Sequence, residues 1–151
     1  MAGQTADHAV ATLQKFDLEL DSATPFFLAC GFHKPHLPFV FPEAKLDLYP
    51  MDEIRLPTDQ QPPTGMPPVA WSAYGELRNY ADAGALNASG APGTVLPADY
   101  VKELRRAYYS AVSHTDDQVG KVMAALKASR FAENTVVSIW GDHGWQAIIL
   151  T

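Results

Sequence analysis

Two short stretches of this sequence concentrate side chains that could do chemistry. CGFHKPHLPF, residues 30–39, carries Cys30, His33, Lys34 and His36. GDHGW, residues 141–145, carries Asp142, His143 and Trp145. Three chemistries fit these residue types: a thiol nucleophile beside its base, a metal site, or an anion pocket. The thiol reading is the weakest. Cys30 lies inside the apolar run FFLACGF, whereas a reactive thiolate needs exposed, electropositive surroundings. Cys30 is therefore expected to be a small buried hydrophobe. His33 and His36 flank the stiff Pro35 and suit an anionic group, with Lys34 adding positive charge. Asp142 suits a hard divalent cation, and His143 could bind the metal, bind substrate or hold the carboxylate in place. Plainer roles stand beside these. A lone histidine is more often structural than functional, Asp142 could cap a helix, and Trp145 reads either as core or as an aromatic wall. His114, Asp116, Asp117, Arg105 and Arg106 read as solvated helix surface.

Both stretches follow short apolar runs, and those runs set the expected architecture. FFLACGF and VVSIW each read as a strand buried on both faces. A helix is expected over Thr5–Leu20, with Ala9, Leu13, Phe16 and Leu20 at helical spacing and Thr5 as a cap. A long helix is expected over PADYVKELRRAYYSAVSHTDDQVGKVMAALKAS, where Val101, Leu104, Tyr108, Ala111, Thr115, Val119, Val122 and Leu126 form one stripe. Between Pro35 and Pro97, closely spaced prolines predict ordered loop with short helical turns. The aromatics Phe39, Phe41, Tyr49, Trp71, Tyr74 and Tyr80 need something to pack on. The order helix, strand, loop, helix, strand predicts an α/β fold in which a helical crossover makes the two strands parallel. Ligands of such sheets bind at the carboxyl ends of the strands. His33, Lys34, His36, Asp142 and His143 are thus expected to converge on one sheet edge.

The bulk properties bound the partners. At 151 residues and 47% hydrophobic content, the chain suits one globular domain. Its net charge of -6 argues against nucleic acid and acidic membrane surfaces. A single cysteine leaves no internal disulfide framework. No apolar stretch reaches the length of a membrane span. The start, MAGQTADHAV, lacks the build of a signal peptide, so the protein stays inside the cell or its leader lies outside this stretch.

The stretches PFFLACGFHKPHLPF, LYP, PPVAW, ALNASG, RRAYYSAVSHTDDQVGKVMAAL and TVVSIWGDHGW together resemble the sulfatase family. GFHKPH combined with a strand ending in DHGW favours the iduronate-2-sulfatase-like group over the arylsulfatases. The resemblance implies an alkaline-phosphatase-like α/β fold, mostly parallel sheet with flanking helices, of which residues 1–151 are a central part. It implies hydrolysis of sulfate esters, of a uronate or related sugar, by a formylglycine beside a bound calcium ion. By the same resemblance His33 is the catalytic histidine that contacts the sulfate, Asp142 and His143 are metal ligands, and Trp145 lines the sugar pocket. The family's nucleophile motif has no counterpart in this chain, nor has the amino-terminal aspartate pair of the calcium site. The formylglycine is therefore not expected here, calcium is expected to bind poorly, and the chain alone is expected to be inactive. A parent of this family would be periplasmic, secreted or lysosomal. The alternatives are another metal-dependent hydrolase of the same superfamily and a non-catalytic anion-binding or interaction module. Self-association through exposed sheet edges or the apolar tail QAIILT is the expected protein contact.

Overall fold

The computed structural model describes residues 2–21, 23–58, 63–71 and 73–144. The chain divides into two compact units, Met1–Lys45 with Ala111–Asp142, and Leu46–Ser110 with His143–Thr151.

In the first unit, α1 spans Ala2–Glu19. It starts three residues earlier than the capping argument places it, so Thr5 sits inside the helix and not at its cap. Ala2 and Gln4 are good helix formers and extend the first turn readily. Ala2, Ala6, Ala9 and Leu13 are buried at steps of four, three and four, which keeps them on one face. The long helix, α3, spans Ala98–Ala128, close to its expected bounds, and its part from Ala111 onward belongs to this unit. Leu13 of α1, Leu126 of α3 and Phe131 form the centre of an apolar cluster, with Phe16, Leu20, Phe26, Leu28, Val122 and Ala125 packed around it. The Phe26 ring bridges Phe16 and Phe131, at centroid distances of 5.2 and 5.1 Å. Arg130 ties the end of α1 to the turn after α3. Its backbone N–H donates to the Asp17 carboxylate at 2.8 Å, and its guanidinium reaches the Leu20 carbonyl at 3.3 Å.

The expected α/β sheet is not formed. Among the described residues there are helices and turns but no strand. FFLACGF and VVSIW form no strand ladder. From Thr24 to His33 exposure alternates residue by residue, with Phe26, Leu28, Cys30 and Phe32 half-buried and Phe27, Ala29, Gly31 and His33 exposed. That is strand periodicity on a single covered face. The other face is bare, and Phe27 is 89% exposed. Residues 136–144 are exposed throughout. The physical reason is that a helix satisfies its own backbone groups, whereas a strand needs a neighbour to do so. Two extended segments offer too few neighbours, since even a paired two-stranded sheet is marginal in water. The parallel pairing and shared sheet edge expected for the two chemistry-bearing stretches are corrected with it.

The expectation of loop with helical turns between Pro35 and Pro97 matches what is seen. Short 3-10 helices occur at Glu43–Leu48, Pro68–Ala70 and Leu77–Asn79, and a five-residue helix, α2, spans Ala81–Ala85. In the second unit Ile54, Leu77, Ala83, Leu96, Tyr100, Val101 and Leu104 are buried. The aromatics of this region find polar anchors as well as packing. Trp71 Nε1 donates to the Gly90 carbonyl at 2.7 Å. Tyr100 donates its hydroxyl to Asp82 at 3.0 Å, and burial, reinforced by that bond, pushes the phenol well above its ordinary pKa. Arg105 and Arg106 are not simple surface. Arg106 donates to the carbonyls of Tyr49 and Leu46 at 2.7 and 3.0 Å, and Arg105 donates to the Tyr109 hydroxyl at 2.8 Å. At Gly90 φ is +71°, and an added Cβ would stand 2.3 Å from the Ala73 carbonyl oxygen, so no other residue fits there without a backbone shift.

Candidate functional site: the His33 turn and its cavity

The extended segment 24–33 ends in a tight turn closed by the His36 N–H donating to the His33 carbonyl at 3.1 Å. Both Lys34–Pro35 and Leu37–Pro38 peptide bonds are cis. The turn brings the His33 and His36 rings to 4.7 Å between centroids. The His36 Nδ1 lies 2.9 Å from the Leu37 carbonyl, so Nδ1 carries the proton that it donates there.

Lys34, expected to bind substrate, faces inward. Its side chain is 8% exposed. Its ammonium donates to the carbonyls of His36 and Pro38 at 2.8 and 2.6 Å. The Lys34 carbonyl in turn accepts from the Thr115 hydroxyl of α3 at 3.3 Å. Lys34 thus closes the loop that carries both histidines, and α3 anchors the loop.

His33 is on the exposed face of the segment. It lines a cavity of about 440 Å³ together with Gly31 and Lys34 and with Ala2, Gln4, Thr5 and His8 from the first turns of α1. The cavity therefore combines two imidazoles, a hydroxyl and a side-chain amide. All of these can donate hydrogen bonds, and none is a carboxylate. An oxyanion is the ligand class such a lining favours.

The other predicted residues are placed differently. Asp142 is exposed at a bend in the first unit, and His143 is exposed in the second. Trp145 and the QAIILT tail lie outside the described residues. Among the described residues no group of three or more His, Cys, Asp and Glu side chains could hold a metal ion. Calcium takes six to eight oxygen ligands, so the residues present do not fit the calcium site that the resemblance implied. Cys30 is half-buried on the cluster side of its segment, and burial pushes its thiol pKa up, the wrong direction for a nucleophile. With neither a sheet nor a metal cluster among the described residues, hydrolysis by formylglycine and calcium has no scaffold there. The same holds for the alternative metal-dependent hydrolase. The sulfatase activity that the resemblance implied is corrected accordingly for the described residues.

His114 behaves as a structural residue, its pKa lowered chiefly by burial, and Asp117 pairs with Lys45. Sequence reasoning misses His8 altogether. One signal was available, since His8 follows Gln4 and Thr5 by four and three residues and so shares their helix face. No helix among the described residues is long and apolar enough to cross a membrane.

Comparison with known proteins gives a consistent picture. The sulfatase family profile matches residues 3–147. The chain is 39% identical over 142 residues to human iduronate 2-sulfatase, covering 94% of this chain and 25% of that protein. It is 41% identical to the Mus musculus iduronate 2-sulfatase over the same length. A sulfatase of Formosa agariphila is 34% identical over 136 residues, covering 81% of this chain and 22% of its own. The chain thus spans about a quarter of the length of the curated relatives it matches. The resemblance holds for the sequence, while the α/β architecture it implied is absent from the described residues. On a profile match running over nearly all of its length, this chain belongs to the sulfatase family.

Proposed function

We propose that this chain is a non-catalytic oxyanion-binding segment, and that its ligand is the sulfate group of a small sulfate ester. The observation that carries the reading is the cavity in which His33 and His8 meet the start of α1. The similar proteins support the ligand class. Iduronate 2-sulfatase, choline-sulfatase and arylsulfatase have names that share a sulfate ester and differ in the alcohol. In this reading His33 and His8 each donate one imidazole N–H to a sulfate oxygen. Thr5 and Gln4 donate from the helix side, and His36 keeps the His33 ring in place by lying against it. Lys34 acts from behind, by holding the loop closed.

Titration with inorganic sulfate and with a small aryl sulfate, followed by imidazole NMR and calorimetry, tests this. The expected affinity is on the order of millimolar, near 4 kcal/mol, as suits a few hydrogen bonds in an open site. His33→Ala and His8→Ala should each weaken binding severalfold, with His33→Gln retaining part of it. Unmoved His33 resonances at saturating sulfate, or equal binding by His33→Ala, would overturn the reading.

A further inference from the structure

The cavity at the His33 turn is lined by ionisable groups of one sign. His8, His33 and the buried Lys34 contribute to it, and among the described residues that line it there is no aspartate or glutamate. The loop adds His36, whose ring lies 4.7 Å from that of His33. On α1 the carboxylate next to His8 in sequence, Asp7, pairs with Lys121 of α3 at 3.8 Å. On α3, Asp117 pairs with Lys45, and His114 is held toward its neutral form chiefly by burial. Thr115 of α3 offers the loop only a hydroxyl. Imidazole is the side chain that changes charge between about pH 5 and 8. A proton gained at His8 or His33 therefore brings like charges together in the empty cavity, and a bound anion supplies the opposite charge that its lining lacks.

We propose that sulfate binding in this cavity is coupled to protonation of His33 and His8, so that acid tightens it; the inference rests on the oxyanion reading above. A neutral imidazole has one N–H to give and one nitrogen that can only accept. A sulfate oxygen has no proton for that second nitrogen. Protonation turns it into another donor and adds a positive charge, and hydrogen bonds between ions are roughly twice as strong as neutral ones. Of the two stacked rings, His33 takes the proton that the anion stabilises, because it lines the cavity. A second charge on His36 is opposed by the short distance between the rings. The complex thus holds more protons than the free protein, and by linkage its affinity rises as the pH falls. A sulfate group keeps its charge throughout this range, so every proton taken up belongs to the protein.

Titration of the 151-residue chain with inorganic sulfate at about pH 5.5 and about pH 8, at one ionic strength, brackets the imidazole range. The backbone amide signals of Thr5 and Gly31, which line the cavity, report binding in every variant. Sulfate should bind about tenfold more tightly at the lower pH. His8→Gln and His33→Gln keep a neutral N–H donor and remove the titrating ring. Both rings are exposed, so the far-ultraviolet spectrum should not change. Each single variant should bind nearly as the parent does at the higher pH and lose most at the lower one, and the double variant should bind equally at both. Parent binding of equal strength at the two pH values overturns the coupling and leaves the oxyanion reading standing. No binding at either pH overturns that reading and the coupling with it. Acid strengthening that persists in the double variant also overturns the coupling, and assigns the effect to loss of negative charge over a chain whose net charge is -6.

Discussion

Replacing Lys34 with methionine isolates the loop clamp from the charge it carries. Methionine keeps an unbranched side chain of similar length, so packing around the stem changes little. What disappears is the ammonium and its two hydrogen bonds, to the His36 and Pro38 carbonyls at 2.8 and 2.6 Å. Hydrogen bonds to a charged group contribute about 1.5–3 kcal/mol each. The two carbonyls are only partly buried, so water recovers some of the loss. The expected cost is therefore about 2–4 kcal/mol, a large share of the 5–15 kcal/mol typical of a domain. With a urea slope of about 2 kcal/mol/M, the unfolding midpoint should fall by about 1–2 M. Circular dichroism at the helical band would follow this, because α1 and the second half of α3 belong to the unit that the loop helps to close. Lys34→Arg should lose less, since a guanidinium can still donate to both carbonyls. A midpoint change below about 0.3 M for Lys34→Met would refute the clamp and return Lys34 to a solvent- or ligand-facing role.

Gly90→Ala should be among the most damaging single-methyl changes. It adds a Cβ at 2.3 Å from the Ala73 carbonyl oxygen at a φ of +71°, and a loss of about 2–4 kcal/mol is expected in urea unfolding. Cys30 should alkylate more slowly than a free cysteine at neutral pH. Burial raises its pKa, so less thiolate is present until the pH rises further, and rates should approach those of the free thiol only in denaturant. Native labelling as fast as a model thiol would contradict the half-buried placement.

The helices were legible because their signal is self-contained. A stripe such as Val101, Leu104, Ala111 and Leu126 states both the element and its buried face, and a helix needs no partner for its backbone. The strands were legible only as tendency. FFLACGF is apolar at every position, which reads as burial on both sides, but burial requires something on each side. The cluster of Leu13, Leu126 and Phe131 covers one face, and the alternation of exposure from Thr24 to His33 records that half-covering. His33 was singled out from its place after an apolar run, a local feature, and it lines the cavity. The carbonyl contacts of Lys34 could not be read from its residue type, because they depend on the chain curling back to offer two carbonyls. The Arg106 contacts at Tyr49 and Leu46 lie more than fifty residues away in sequence. That long-range pairing is why a basic dipeptide on a helix looked like surface.

The alternating exposure of the first extended segment imposes a parity rule on its length. Phe26 packs into the cluster and His33 lines the cavity, on opposite faces, and they are separated by seven residues, an odd number. Removing or adding one residue between them would turn one of the two over. Either Phe26 and Leu28 would swing outward while Phe27 took the cluster, or His33 would leave the cavity. Changes in steps of two would keep both assignments and only shift the turn along the chain. The proline-rich stretch beyond Pro38 carries no such constraint, because it holds its position through separate point contacts, such as those of Arg106 and Trp71. Length variation among related chains should therefore collect after the turn, and between Phe26 and His33 it should come in even numbers or not at all.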